Sequence, residues 1–269
     1  MATENVHVIR TGRVAQLVLD RVDRKNAFNG AMWAALDRAI EEIEGRLPRV
    51  VVITGAGTTA FCAGMDVNPD NPQISRMADA LATGDPVPVK RLIHRIRGTI
   101  DRLAALPVPV VAAINGDAHG GGAELAVRCD LRVMDPKAVI RFSEVRLGLM
   151  PDWGGGAALT RLIGPSRAAD LILTARPVNA PEALALGLVN RVSPPQVALA
   201  AAMEMAETIA ANGPKAVRHA LKLIRQAPDL CHADALDLET EQAVALIATG
   251  ECLQGIGAFL EKKTPVFTD

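Results

Sequence analysis

Short apolar runs that end at glycine-containing turns dominate the first half of the chain. Such runs, rich in Val, Ile and Leu and bounded by turn residues, are typical of β-strands. The first two runs are separated by Thr11-Gly12-Arg13, which predicts a hairpin, and a helical pattern follows them. The predicted elements of this part are strands at 6–10, 14–19, 49–54 and 108–114 and a helix near 31–44.

Strand and helix patterns keep alternating up to residue 192, and only helical patterns follow. Such alternation predicts the α/β class. We expect an α/β core at 1–195 and a helical C-terminal region at 196–269 that packs on the core or on a neighbouring subunit. The segment 68–72 reads as irregular, and a short helix is expected after Gly120. Further helices are predicted near 89–103, 197–211, 215–225, 233–248 and 251–262, and strands near 131–134, 139–142 and 189–192.

Charge and cysteine content exclude several classes of protein. The 269 residues carry a formal net charge of −1, which argues against nucleic-acid or membrane-surface binding. Cys62, Cys129, Cys231 and Cys252 have no CxxC spacing, and no His cluster completes a metal set, so neither a metal site nor a disulfide scaffold is expected. The start lacks the pattern of a signal peptide and no run reaches membrane-spanning length, so a cytoplasmic location is expected.

A glycine-rich segment, NGDAHGGGAEL at 115–125, joins a predicted buried strand to a helix. Glycines let a ligand approach the backbone closely, and the free N–H groups at a helix start suit an oxygen that gains negative charge. Gly121 is the best single donor, and Glu124 follows about one helical turn later on the same side. Close packing of the glycines with a solvated Glu124 explains the segment equally well. The apolar neighbours of Glu124 favour a carboxylate that lines a cavity.

A second loop, AFCAGMDV at 60–67, offers small residues where another main-chain N–H could face a ligand. The same residues fit a tight turn in which Cys62 is a small buried side chain, and in isolation this interpretation is favoured. The loop alone therefore does not identify a site.

Both loops, in this order and at this separation, resemble the crotonase or enoyl-CoA hydratase/isomerase superfamily, and the resemblance covers nearly the whole chain. It implies a spiral of β-β-α repeats and a helical C-terminal region that forms trimers, usually paired into hexamers. It also implies an acyl-CoA thioester substrate and no separate cofactor, because coenzyme A is part of the substrate. The matching motifs are RKNAF at 24–28, AFCAGMD at 60–66, NGDAHGGGAEL at 115–125, FSEVRLGLMPDWGG at 142–155, RLIG at 161–164 and FLEKKTPVF at 259–267.

In that family the thioester oxygen rests between two main-chain amides, which the resemblance carries over to Met65 and Gly121. Members similar to true hydratases have two glutamates, at the positions of Glu124 and Glu144. The implied mechanism has Glu124 remove a proton from water as its oxygen attacks C3, while Glu144 delivers a proton to C2. One of the two pKa values must then be raised. Hydration of a 2-enoyl-CoA is therefore the leading hypothesis, although Glu144 without the resemblance reads as a surface charge.

Asp152 leaves a second reaction open. In relatives that move double bonds or open rings, an acid in the LGLxPD loop lies near the acyl chain, which would make this chain an enoyl-CoA isomerase. Asp152 could equally cap the following helix. Trp153 is expected to crowd the acyl end of the pocket, and His119 either lines it or has a packing role, which is favoured. A third hypothesis is an acyl-CoA binding protein that lost the reaction; the intact glutamates count against it.

Coenzyme A recognition is implied at three places: the start of the chain, the second loop and the terminal helix. Two departures from the family pattern leave the phosphate contacts less well defined. Val22 replaces a proline, and Asn68 replaces a lysine found in some hydratases. The implied contact residues are Arg24, the Ala27 main chain, Ala63, Asp66, Val67, Asn68, Phe259 and Lys262.

Overall fold

The computed structural model describes residues 5–268, which form two β-sheets and eleven α-helices. Residues 1–4 and Asp269, which the predicted core and tail include, lie outside the described residues. The strands are β1 (Val6–Thr11), β2 (Val14–Leu19), β3 (Val50–Gly55), β4 (Ala60–Cys62), β5 (Val110–Ile114), β6 (Asp117–His119), β7 (Leu131–Met134), β8 (Val139–Arg141), β9 (Val178–Asn179) and β10 (Arg191–Val192). The helices are α1 (Gly30–Gly45), α2 (Pro72–Thr83), α3 (Val87–Ala105), α4 (Gly121–Arg128), α5 (Gly155–Ile163), α6 (Pro165–Thr174), α7 (Ala180–Ala185), α8 (Ala198–Ala210), α9 (Pro214–Gln226), α10 (His232–Ala248) and α11 (Glu251–Leu260).

The strands wind between two sheets in a repeated pattern. The larger sheet has the order β1-β2-β3-β5-β7-β10, in which β1 and β2 form the predicted hairpin and all other neighbours are parallel. The smaller sheet has the order β4-β6-β8-β9. Each of β3, β5 and β7 is followed by a strand of the smaller sheet and then by a helix. The predicted α/β class and the spiral of β-β-α repeats are therefore confirmed.

Both faces of the central strands are buried, as is usual for parallel strands covered by helices. On one face, Ile53 and Ile114 belong to the main core, which also contains residues of α1, α3 and α4. On the other face, Val52 and Val111 form a second core with Ala202 of α8. A helix of the predicted C-terminal region thus covers one face of the larger sheet.

Short strands and three helices, α2, α6 and α7, were missed by the pattern of apolar positions. β4, β6 and β9 have only two or three residues, too few for alternation to reveal a strand. α2 lies where the sequence suggested breaks, and it begins at Pro72, the last residue of the segment predicted to be irregular. Its start carries ordinary signals, because Asn71 accepts a hydrogen bond from the Gln73 N–H and Pro72 occupies the first turn.

A partly buried ion pair ties α9 to the core. The Nε and Nη2 atoms of Arg225 donate to the two carboxylate oxygens of Asp130, at 2.8 and 2.6 Å. Arg225 also donates to the main-chain carbonyl of Leu106 at 2.8 Å. Such bidentate pairs hold their partners in one geometry, so α9 has a fixed position beside the end of α3.

The last two helices differ from the others because they expose many large apolar side chains. Phe259 is 80% exposed and Leu253 is 71% exposed. Apolar surface of this kind is typical of a protein contact. No single helix within residues 5–268 has the length and composition to cross a membrane; α10 and α11 meet those criteria only together, and they are bent by 73° at their junction. The exposed apolar residues are Leu236, Val244, Ile247, Leu253, Ile256, Phe259 and Leu260.

Candidate active site

The two predicted donor amides meet where the loop after β4 approaches the start of α4. Phe28 holds this loop, since its N–H donates to the Gly64 carbonyl at 2.7 Å and its carbonyl accepts from the Asp66 N–H at 2.9 Å. Gly64 has a φ of +84°, and a Cβ atom there would lie only 2.8 Å from the Gly121 nitrogen. Within residues 5–268, neither the Met65 N–H nor the Gly121 N–H donates to a main-chain oxygen. Two hydrogen-bond donors are therefore available at one place.

The ring of Trp153 packs directly against Gly121. A Cβ atom at Gly121 would lie 2.5 Å from this ring, so no larger residue fits. Trp153 is only 3% exposed, and its ring contacts those of Trp33 and Phe28 edge-on, with centroid distances of 4.7 and 5.6 Å. Aromatic rings packed in this way are rigid, so the cluster fixes the position of the Gly121 amide.

Glu124 lies in the first turn of α4 and is 1% exposed. Its Oε2 accepts hydrogen bonds from the N–H groups of Trp153 and Gly155 at 2.9 and 2.8 Å, and its Oε1 accepts one from Asp152 at 3.2 Å. Main-chain donors of this kind stabilise the ionised carboxylate. Glu124 is thus buried rather than solvated, and main-chain N–H groups at and just before the start of α5 bond its carboxylate.

Glu144 opens a short 3₁₀ helix that follows β8 and is 9% exposed. The interpretation of Glu144 as a surface charge, which holds only without the family resemblance, is therefore wrong. Both carboxylate oxygens are enclosed, and neither accepts a hydrogen bond from a described residue. A Cβ atom at Gly120 would lie 3.7 Å from Glu144 Oε1, which places the carboxylate beside the residue that precedes Gly121. A buried carboxylate without a donor is costly, and such groups concentrate at functional sites.

Burial raises the pKa of both glutamates, and the negative charge of Glu144 raises the pKa of Glu124 further. Two interacting buried carboxylates do not both ionise readily, so the pair holds one proton near neutral pH. The three N–H donors favour the charged form of Glu124. Burial and the charge of Glu144 oppose these donors and raise the pKa of Glu124 to about 8. No main-chain group among the described residues donates to the carboxylate of Glu144, so the two glutamates have unequal surroundings.

Asp152 lies next to this pair and is exposed to solvent. Its negative charge contributes to raising the pKa values of Glu124 and Glu144. Of the two interpretations of Asp152, helix capping is wrong, because the N-cap of α5 is Gly154 and no cap side chain bonds there. The carboxylate of Glu124 accepts the N–H groups at this helix start instead, and this leaves the side chain of Asp152 available as a third carboxylate.

The two residues expected near the acyl group have different surroundings. The Nε2 atom of His119 lies 3.6 Å from an oxygen of Asp117, and no hydrogen bond or ion pair in the described part of the chain joins it to either glutamate. This contact is consistent with the packing role that was favoured. The ring of Trp153 is almost fully enclosed behind Gly121. A direct contact of either residue with an acyl chain stays a prediction.

Three of the implied coenzyme A residues, Arg24, Ala27 and Ala63, lie close together in the structure. The Ala27 N–H donates to the Arg24 carbonyl and the Ala63 N–H donates to the Lys25 carbonyl, each at 3.0 Å. The guanidinium of Arg24 is partly exposed and lies 3.3 Å from a carboxylate oxygen of Asp70. The structure thus joins the first motif to the second loop through the main chain, and contact with coenzyme A stays a prediction.

Asp66 is an internal anchor whose carboxylate is already satisfied. It is 3% exposed and accepts hydrogen bonds of 2.6 Å from Arg21 Nη1 and from the side chain of Asn68. Burial acts to raise the pKa of Asp66, but the hydrogen bonds from Asn68 and Arg21 outweigh it and lower the pKa. Arg21, which also donates to the Ala27 carbonyl at 3.0 Å, was missed because nothing in the sequence links it to Asp66. Val67, next to this anchor, is 57% exposed.

Asn26 links the RKNAF motif at 24–28 to the segment around β4 through hydrogen bonds. It has a φ of 57° and is 1% exposed. Its side-chain amide donates to the Ala60 carbonyl at 2.9 Å and to the Ala56 carbonyl at 3.1 Å, while its oxygen accepts from the Arg21 N–H at 2.9 Å. Asn26 belongs to the quoted motif, but no role was predicted for it, because its partners are distant in sequence.

Phe259 and Lys262 lie far along the chain, at the end of α11 and just beyond it. Both are exposed. Within residues 5–268, no hydrogen bond or ion pair joins them to the other implied coenzyme A residues. The single chain therefore does not bring all of these residues together, and the assignment of Phe259 and Lys262 stays a prediction.

The close approach at Gly64 gives the first testable prediction. In Gly64→Ala, the new Cβ must push against the Gly121 nitrogen and the Met65 amide must move, so turnover of an enoyl-CoA should fall by about 100-fold or more. Gly187→Ala is the matched control, because Gly187 has a φ of +74° and a Cβ atom added there would meet no other atom within 4 Å. Steady-state kinetics of both variants check this, and equal losses in the two would contradict it.

The buried Glu144 gives a prediction about stability. Because the pKa of Glu144 is raised in the folded state, its carboxyl group destabilises the folded protein. This loss of stability is absent below the ordinary pKa range of glutamate and grows as the pH rises toward the folded pKa. Glu144→Gln should therefore be more stable than the parent protein at high pH, by on the order of 1–3 kcal/mol, with little gain at acidic pH. Urea unfolding at several pH values measures this. Glu207→Gln, on an exposed position of α8, is the control, and a gain that does not depend on pH would contradict the assignment.

Comparison with known proteins agrees with the geometry. The family model described as enoyl-CoA hydratase/isomerase matches residues 10–269. The short-chain-enoyl-CoA hydratase of Clostridium acetobutylicum is 34% identical, over 98% of this chain and 97% of its own. YngF of Bacillus subtilis, named as an enoyl-CoA hydratase/isomerase, is 37% identical over 99% of both chains. The crystal structure of an enoyl-CoA hydratase from Bacillus anthracis superimposes with a TM-score of 0.89 at 36% identity, and covers 98% of both chains. The chain belongs to the enoyl-CoA hydratase/isomerase family.

Proposed function

We propose that this protein adds water to 2-trans-enoyl-CoA thioesters and forms 3-hydroxyacyl-CoA. The observation that carries the proposal is the unequal pair of buried carboxylates, in which Glu124 accepts three main-chain hydrogen bonds and Glu144 accepts none from described residues. One ionised and one protonated carboxyl group are what the addition of water across a double bond requires.

The thioester oxygen is placed between the Met65 and Gly121 amides in this mechanism. As water attacks C3, electrons move through C2 to that oxygen, which becomes the oxyanion of an enolate. Two aligned donors in a site shielded from water lower the energy of this intermediate by several kcal/mol. Trp153 supports the step by fixing Gly121.

In the proposed mechanism, the two glutamates carry out the two proton transfers. Glu124 accepts a proton from water while the water oxygen bonds to C3, and Glu144 delivers its proton to C2 as the enolate collapses. The product leaves Glu124 protonated and Glu144 ionised, so the pair resets by transferring one proton between its members or through solvent. Coenzyme A enters as part of the substrate, and the proposed chemistry needs no metal and no separate cofactor.

Isomerisation of an enoyl-CoA is the second candidate, and the position of Asp152 favours it. The side chain of Asp152 caps no helix, lies close enough to affect both glutamates and is exposed to solvent. A carboxylate at that place could move a proton between carbons farther along the acyl chain. A protein that binds acyl-CoA without turnover is a minor alternative, against which the buried glutamate pair argues.

An activity test separates these functions. The parent protein should remove the conjugated absorbance of crotonyl-CoA or of a longer 2-enoyl-CoA, and Glu124→Gln and Glu144→Gln should each lower kcat by about 100- to 10,000-fold. Asp152→Asn should keep most hydration activity. Loss of 3-enoyl-CoA isomerisation in Asp152→Asn, with Glu144→Gln largely active, would identify an isomerase instead. Tight acyl-CoA binding without turnover of any substrate would identify a binding protein.

The apolar side chains exposed on α10 and α11 support a homo-trimer, and pairing of trimers into hexamers is part of the same proposal. Light scattering should give at least three times the mass of the chain, and the double variant Val244→Glu/Leu253→Glu should shift the protein to monomers. Leu81→Glu, at a residue of α2 that is 78% exposed, is the matched control and should not change the mass. A monomeric parent protein would refute the trimer. The cytoplasmic location stays a prediction.

A further inference from the structure

A cleft of about 490 Å³ lies between α2, α3 and the start of α1. None of the residues proposed for the chemical step lines it. The lining combines apolar side chains and arginines, and it contains no acidic residue. The residues are Gly30, Pro72, Gln73, Arg76, Met77, Pro88, Val89, Arg91, Leu92 and Arg95.

The three arginines of this cleft have no acidic partners in the described part of the chain. The whole chain has a formal net charge of −1, so this local positive charge is not a general property of the protein. Arg76, Arg91 and Arg95 are exposed, and none forms an ion pair with a described residue. Neighbouring arginines differ from them, since Arg97 pairs with Asp101 and others near the site also have acidic partners. Three like charges around one concavity repel each other, and a bound anion relieves that repulsion. The paired arginines near the site are Arg21, Arg24, Arg97, Arg102 and Arg128.

The wall of the cleft also holds a polar group without a partner among the described residues. Gln73 is 5% exposed, and its amide oxygen is enclosed and accepts no hydrogen bond from a described residue. Buried polar groups in proteins are nearly always paired with protein, water or ligand. Met77, Leu92 and Pro72 supply apolar surface next to it. A ligand that suits these surroundings has an apolar stem and an anionic end.

The cleft lies close to the proposed oxyanion site. Gly30, which lines it, follows Phe28 by two residues, and Phe28 pairs with Met65 in a parallel bridge. Two residues span at most about 7 Å and paired strands are about 5 Å apart, so the Gly30 wall is within about 12 Å of Met65. An acyl chain of medium length can cover this distance.

We infer that this cleft binds a carboxylate at the end of the acyl chain distal to the thioester, and that the protein accepts the coenzyme A monothioesters of dicarboxylic acids. The inference rests on the proposed function only in taking acyl-CoA as the substrate. Arg91 and Arg95, which are one helical turn apart on α3, form the cationic wall that faces Arg76 of α2 across the cleft.

Binding of saturated ligands tests the inference without any turnover. Isothermal titration calorimetry of the full chain compares suberyl-CoA with octanoyl-CoA, and adipyl-CoA with hexanoyl-CoA, so that each pair differs by a terminal carboxylate. The parent protein should bind at least one dicarboxylic thioester about fivefold or more tightly than its partner, and this preference should fall as salt is added. Arg91→Gln/Arg95→Gln should abolish the preference and leave the affinity for octanoyl-CoA unchanged.

Arg167→Gln is the matched control, because Arg167 is an exposed arginine of α6 that lies outside the cleft. It should leave all four affinities unchanged. Equal weakening of both members of a pair in Arg91→Gln/Arg95→Gln would show that the arginines bind the phosphates of coenzyme A, and would overturn the inference. The absence of any preference in the parent protein would overturn it as well. A protein that shows the preference but hydrates no enoyl-CoA would refute the proposed function alone.

Discussion

Three hydrogen bonds from residues 152–155, at and just before the start of α5, to the carboxylate of Glu124 are the contact on which the rest of the site depends. They join helices from two successive β-β-α repeats, and without them α4 would bury an uncompensated charge, at a cost of several kcal/mol. One of the donors is the main chain of Trp153, whose ring fixes Gly121. The proposed base and the Gly121 amide therefore depend on the same segment, and a shift of residues 152–155 would disturb both.

Glu144 shows the opposite arrangement, since it is buried without a donor among the described residues. Burying such a group costs free energy, and the packing of the rest of the core must offset that cost. Strained or unsatisfied groups persist where the surrounding structure determines their position, and active sites collect them. This difference between two chemically identical side chains underlies the proposed division of one proton between them.

The long elements could be predicted from the sequence because a buried face repeats along them. Val14–Leu19 and Val50–Gly55 are nearly continuous apolar runs, and α8 and α9 have clear helical patterns. Gly121 and Glu124 could be placed on one side of a helix by local spacing. The approach of Met65 to Gly121 depends on the packing of β4 against α4, and only the family resemblance predicted it. The sequence left helix capping by Asp152 open because the carboxylate that accepts the N–H groups there, that of Glu124, is distant in sequence. The Arg21–Asp66 pair, 45 residues apart, leaves no local pattern.

The partners of Glu124 also affect how the chain acquires its structure during synthesis. Chains fold from the N-terminus as they leave the ribosome, and the donors at 152–155 emerge well after Glu124 itself. Until they arrive, α4 carries a carboxylate that cannot enter the core without losing its hydration. We therefore expect the β5-β6-α4 repeat to close only when residues 152–155 are available, so the burial of Glu124 links two successive turns of the spiral in the order of folding.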